Sequence, residues 1–151
     1  AYTTEDSVVI LTQQFATQQV LALAPGEKAV ALAWNEATGA LAVAIGTFAV
    51  LFTCEISHGK LQWTRGKAVN AEEAVECLCW SEARNELLIC GESIALWFIP
   101  FSMLSENPIL KWRTPGVSPI SFCTFSPDGK FFATAGANDR YPKVWRPLFT
   151  A

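Results

Sequence analysis

The residues with the most latent chemistry are five cysteines, Cys54, Cys77, Cys79, Cys90 and Cys123, and a single histidine, His58. Thiolates and imidazoles hold zinc and related metals when they fall into CxxC or mixed Cys/His clusters. This chain offers only Cys77-x-Cys79. On one strand that spacing turns both thiols to the same face, but no histidine accompanies them, and four of the five cysteines lie in apolar runs of Val, Leu, Ile and Phe. Buried, reduced thiols are the expectation, ahead of a disulfide and then of a metal, and the odd count suits a reducing compartment.

Acid–base catalysis needs titratable groups gathered in a cleft. His58 falls in Ser57-His58-Gly59-Lys60, which reads as a hairpin turn and puts the imidazole in solvent. Ser57, Ser81, Ser93 and Ser126 lack the glycine elbow of a nucleophile. Glu72, Glu73 and Glu76 read as a solvated loop before a strand, with a partner contact as the alternative. No catalytic, cofactor-binding or metal-binding residue is assigned. The net charge is −3 and the eleven Lys and Arg residues are scattered, so no footprint for a phosphate backbone exists and nucleic acid is not an expected partner.

What positions these residues is a repeat. Val30-Ala-Leu-Ala-Trp34 to Gly46, Val75-Glu-Cys-Leu-Cys-Trp80 to Gly91, and Ile120-Ser-Phe-Cys-Thr-Phe125 to Gly136 share one grammar. Each is an apolar run ending in an aromatic, a polar turn, a second apolar run ending in glycine, and a third ending in Phe52, Trp97 or Trp145. Trp34, Trp80 and Phe125 are 46 and 45 residues apart, and the three glycines 45 and 45. Ser126-Pro127-Asp128-Gly129 supplies the turn chemistry directly, and Asn85 tolerates the left-handed region in the second copy. A fourth strand falls at Lys60–Trp63 and at Ile109–Trp112. Four strands in about 40 to 45 residues is a WD-type blade.

The fold class is therefore all-β, a WD40-type β-propeller. Residues 1–26 read as the end of a blade, 27–69 and 70–116 as complete four-stranded blades, and 117–151 as an incomplete one. Closed propellers have about four to eight blades, so the expectation is a fragment of one propeller domain in a longer chain. Hydrophobic residues make up 51% and charged residues 17%, which suits strands covered on both faces. Ala1 to Asp6 has no signal-peptide character, and the apolar run from Gly39 to Phe52 is too short to span a bilayer. The chain reads as cytoplasmic.

All six tryptophans occupy repeat-equivalent positions, which reads as packing between blades rather than as exposed anchors. Asp139, in the loop before the last run, is placed to accept backbone hydrogen bonds and lock its turn. Tyr141-Pro142 weakens that last run as a central strand. The least repetitive stretches are the loop from Thr64 to Ala74 and the insertion from Phe98 to Pro108. Ile99, Phe101, Met103 and Leu104 give the insertion more apolar surface than a solvated loop needs. They are the candidate partner contact, the alternative being a flap folded onto its own blade.

In the order of its blades the chain resembles the amino-terminal propeller of the rabconnectin-3 or DmX-like family, whose fungal counterpart is the large subunit of the RAVE complex. The phrases in register are Ser7-Val-Val-Ile-Leu11, Leu23-Ala-Pro-Gly26, Gly39 to Gly46 with Val50-Leu-Phe52, Leu87-Leu88, Gly91 to Ser93, Leu96-Trp97, Trp112 with Thr114-Pro115, and Phe125 to Gly136 with Lys143-Val144-Trp145. Thr47-Phe48-Ala49 and Arg140-Tyr141-Pro142 depart from the family. The resemblance implies a non-enzymatic cytosolic scaffold without cofactors, peripherally associated with endosomal, vacuolar or vesicle membranes through its partners. Those partners would be V-type proton ATPase subunits and members of its own complex, and the outcome V-ATPase assembly and organelle acidification. The competing expectations are a WD40 scaffold of another complex, such as a vesicle coat or ubiquitin-ligase substrate receptor, and a propeller enzyme whose site lies in blades outside this sequence.

Overall fold

Short apolar runs that end at residues tolerant of a left-handed backbone make the chain double back instead of coiling. Such residues sit at the turns, with φ of 74° at Gly39, 53° at Asn85 and 70° at Gly129. The computed structural model describes residues 1–12, 14, 17–100, 106–116 and 118–147. Every regular element among them is a β-strand, and every pairing is antiparallel between sequence neighbours. The chain divides into two units, Ala1–Val75 and Glu76–Ala151.

The first unit holds two sheets. One is a three-stranded meander of β1 (Tyr2–Thr3), β2 (Ser7–Leu11) and β3 (Thr17–Ala22); the other has four strands in the order β4 (Ala29–Asn35), β5 (Ala40–Ile45), β6 (Phe48–Ser57) and β7 (Lys60–Asn70). β5 is buried at every residue, which is why its sequence is an unbroken apolar run rather than an alternating one. Val8, Ile10, Leu21, Leu41, Val43, Val50 and Phe52 form the core between the two sheets, and each fully buried side chain of this kind contributes about 1.5–3 kcal/mol. A polar clasp joins the same sheets: the Gln19 side chain accepts from the Trp63 backbone N–H and donates to the Trp63 carbonyl, both at 2.9 Å.

One expectation fails here. Residues 64–70, read as the start of a loop, continue β7. Thr64-Arg-Gly-Lys-Ala-Val69 keeps a strand alternation that buries Val69 against Ala49. The register shifts opposite Leu51, and Gly66 makes this possible, because a Cβ there would lie 2.8 Å from the Leu51 carbonyl oxygen.

The second unit begins with a four-stranded sheet of β8 (Cys77–Ser81), β9 (Glu86–Cys90), β10 (Ser93–Phe98) and β11 (Ile109–Pro115). It ends with a three-stranded one, β12 (Ile120–Phe125), β13 (Phe132–Gly136) and β14 (Lys143–Trp145). β14 is only three residues long and starts directly after Pro142, as the missing donor of that proline demands. The core of this unit combines Leu88, Ile94, Leu96, Ile120 and Phe132 with Cys77, Cys90 and Cys123. Around it Trp112 approaches Trp145 at 5.5 Å between ring centroids and Phe132 at 5.9 Å, and Phe132 stacks on Trp145. These rings fill the space between the two sheets, the role their repeat positions suggested.

Trp34 behaves differently. It is 36% exposed and meets Trp63 edge-on at 6.1 Å, so both partners belong to one sheet.

Candidate functional site

The last hairpin shows how the repeat builds its fixed points. The Trp145 indole donates to Thr134 Oγ1 at 2.9 Å, with Thr134 itself buried. Asp139 Oδ2 accepts from the Gly136 N–H at 2.8 Å while Ser118 Oγ donates to Oδ1 at 3.0 Å. Asp139 thus locks its turn as its sequence position suggests. Gly136 is needed for closeness rather than for an unusual φ: a Cβ there would meet Ser118 Oγ and would lie 2.7 Å from the Pro119 carbonyl oxygen.

Of the candidate partner residues, Ile99 alone lies among the described residues. It is 2% exposed, its N–H donates to the Asn85 carbonyl at 3.0 Å, and its own carbonyl accepts from the Asn85 side-chain amide. Its side chain therefore faces the interior. Phe101, Met103 and Leu104 lie outside the described residues. His58 is exposed with φ of 51°, beside Gly59 at 75°, the pair of positive values that a two-residue hairpin turn requires.

That turn caps an element the sequence reading missed. β5 pairs with β6 only as far as Phe52, whereas β6 and β7 continue together to Ser57 and Lys60. Residues 53–64 therefore form a two-stranded arm. Ile56 and Leu61 pair across it, 77% and 52% exposed, on the same face as the Cys54–Trp63 pair. The strands that build it are long: β6 and β7 have 10 and 11 residues against 5 or 6 for β8 to β10. At the base of the arm Arg65 makes a two-pronged ion pair with Glu27, both contacts at 2.8 Å. This hydrogen bonding, with the Ala24 N–H as a second donor, holds the Glu27 carboxyl down at about 2.

The second missed feature is a thiol cluster. Cys77 and Cys90 oppose each other across β8 and β9, and Cys123 comes from β12 in the other sheet of the unit. Their sulfur atoms all lie within 4.8 Å of one another. Hydrogen bonds from Cys123 and Cys90 pull the Cys77 thiol far below the ordinary thiol range. Cys123 is pushed up by its bonds to Cys77 and then Cys90, with burial adding to the shift. Cys79 shares the face of Cys77 but stands outside the trio, its thiol raised by burial. All five cysteines are free. Among the described residues, these three thiols form the cluster that could hold a metal ion. For acid–base chemistry, Glu86 is a buried carboxyl raised by desolvation, its charge countered by Arg84 and Lys111.

Consecutive antiparallel meanders of this length, packed face to face on aromatic and aliphatic layers, are blades of a WD40-type β-propeller. A solved chain in the crystal structure of a mitotic checkpoint complex, itself a WD40 propeller, superposes with a TM-score of 0.72 over 94% of this chain and 43% of that one. At 19% identity that likeness is one of fold. Among curated proteins the chain is 30% identical over 95 residues to DmX-like protein 1 of Mus musculus and 28% over 97 residues to its Homo sapiens counterpart, each match taking 56% of this chain. It is 25% identical over 150 residues, 97% of its length, to Regulator of V-ATPase in vacuolar membrane protein 1 of Saccharomyces cerevisiae. The resemblance drawn from the repeat phrases thus reappears in the matched relatives. The chain spans 3% of the two mammalian proteins and 11% of the yeast one. No family model matches it.

Proposed function

We propose that this chain is part of a non-enzymatic WD-repeat scaffold that binds V-type proton ATPase subunits and promotes assembly of the pump, and with it organelle acidification. The observation that carries the reading is the yeast relative named as a regulator of V-ATPase in the vacuolar membrane, which aligns along 97% of the chain. Blades dominated by core-forming residues fit a scaffold, whose surface works by contact rather than by chemistry. No helix among the described residues is long and apolar enough to cross a membrane. On this reading the protein is cytoplasmic and reaches the vacuolar or endosomal surface through its partners. The arm is the contact element it would use: Ile56 and Leu61 offer an exposed apolar pair on a two-stranded ribbon, the kind of patch that marks protein contacts.

The test is co-purification with tagged full-length protein under conditions that drive the pump to reassemble. V-ATPase subunits should be recovered with the wild type. Ile56→Ser combined with Leu61→Ser should lower that recovery without lowering thermal stability, because neither side chain supports the core. Recovery of no V-ATPase subunit by the wild type would refute the function. Undiminished recovery by the double variant would refute the role of the arm.

A further inference from the structure

The Cys77, Cys90 and Cys123 thiols converge on a point walled by apolar side chains. Leu88, Ile94, Ile120 and Phe132 belong to the same buried cluster, and the three cysteines are 9%, 1% and 9% exposed. Two thiols arrive from paired strands and the third from the other sheet of the unit, so the point of convergence lies between two sheets.

We infer that these three thiols form a binding site for a soft d10 cation, with monovalent copper as the favoured ion. Thiolate sulfur selects such metals over hard ones. Three sulfurs bound at about 2.3 Å around a common centre stand about 4 Å apart. The present separations, all within 4.8 Å, need only small side-chain rotations to reach that. Coordination number decides between metals. Among the described residues no fourth cysteine, histidine or carboxylate joins the group, and the apolar walls give a water molecule few partners. Zinc usually takes four ligands, whereas a three-sulfur set in a dry cavity satisfies monovalent copper. Binding displaces thiol protons to solvent. The ligand form of cysteine is the thiolate, so a set of three sulfur ligands releases three protons, and the copper–sulfur bonds must outweigh the cost of the net negative charge that the set then carries. An ion bound there would tie β12 to β8 and β9, so occupancy would stabilise the unit.

The experiment uses the full chain, reduced and handled without oxygen. It is titrated with monovalent copper held by a competing chelator, with zinc in a parallel arm. The wild type should bind one more copper ion per chain than Cys90→Ser or Cys123→Ala. The variants should lose affinity by more than the roughly 10- to 100-fold that follows loss of an outer-shell partner. Cys54→Ser should bind as the wild type does. Copper X-ray absorption should show three sulfur neighbours, and the thermal midpoint should rise on loading. Alkylation in urea near the unfolding midpoint of the metal-free chain, where buried thiols become reactive, mapped by mass spectrometry, tests the wild-type chain alone, without reliance on variants that could misfold. Copper should protect Cys77, Cys90 and Cys123 and leave Cys54 reactive. Equal labelling with and without copper, unchanged stoichiometry in folded variants, or nitrogen and oxygen neighbours would overturn the site. Tight binding of zinc in preference to copper would overturn the three-coordinate assignment.

Discussion

Phe131 and Phe132 are adjacent in sequence, but the structure assigns them opposite surroundings. Phe132 is 1% exposed and sits between three rings, at 5.7 Å from Phe125, 5.9 Å from Trp112 and 6.1 Å from Trp145, the last stacked within 16°. Phe131 is 40% exposed, and what it contributes to the turn is its backbone: its N–H donates to Ser126 Oγ at 3.0 Å and its carbonyl accepts from the Ser126 N–H at 2.9 Å. Truncating a buried phenylalanine costs about 3–5 kcal/mol through lost transfer energy and the cavity left behind. Aromatic pairs add about 0.5–1.5 kcal/mol beyond area, which puts Phe132→Ala near the upper end of the range. Phe131→Ala keeps the backbone bonds and loses only partial burial, about 1–2 kcal/mol. For a chain of this size about 2–4 °C of melting temperature follows each kcal/mol. The expected losses are then roughly 10–20 °C for Phe132→Ala and at most about 8 °C for Phe131→Ala. Urea and thermal unfolding followed by tryptophan fluorescence would read both, with the urea m value checking that the denatured state is unchanged. Equal losses, or a larger loss from Phe131→Ala, would mean that β13 is displaced by one residue. Such a slip reverses every side chain on the strand, and the reasoning behind the core of this unit would fail.

Two further outcomes follow from local geometry. Gly136→Ala should cost about 1–3 kcal/mol as overpacking, because its Cβ would press on the Pro119 carbonyl and Ser118 Oγ and lie 3.0 Å from Asp139 Oδ2; a neutral melting temperature would contradict that close approach. Glu27 has a folded pKa near 2 against an ordinary 4.5, so its pairing with Arg65 stabilises fully above about pH 4.5 and is lost as the pH falls towards 2. Side-chain exposures of 24% for Glu27 and 44% for Arg65 limit the contribution to about 0.2–1 kcal/mol. Glu27→Gln should lower stability by that amount at pH 6 and converge with the wild type near pH 2 in urea unfolding. A constant gap across that range would show that the ion pair is not its source.

The blades were legible in the sequence because blade residues repeat. An aromatic, a turn and a glycine recurring every 45 or 46 residues define strand, turn and strand wherever they fall, and even the non-ideal turn at Asn85 is readable from what asparagine tolerates. The continuation of β7 and the thiol cluster were hidden for the complementary reason. Residues 64–70 break the repeat, and their alternation was masked by Gly66, which reads as a loop residue until Leu51 is seen opposite it. In the cysteines, sequence proximity misled. Cys77 and Cys79 do share a face, but the partners of Cys77 are Cys90, across a hairpin, and Cys123, which stands 46 residues further on in the other sheet. Cys123 occupies the repeat position of Leu78 rather than that of Cys77, two residues before Phe125 as Leu78 is two before Trp80. A register built on equivalence therefore passes over the trio, since the facing strands of two sheets bring non-equivalent positions together. In this fold the repeating residues build the frame, and a site has to be sought where one copy departs from the others and a neighbouring sheet faces the departure.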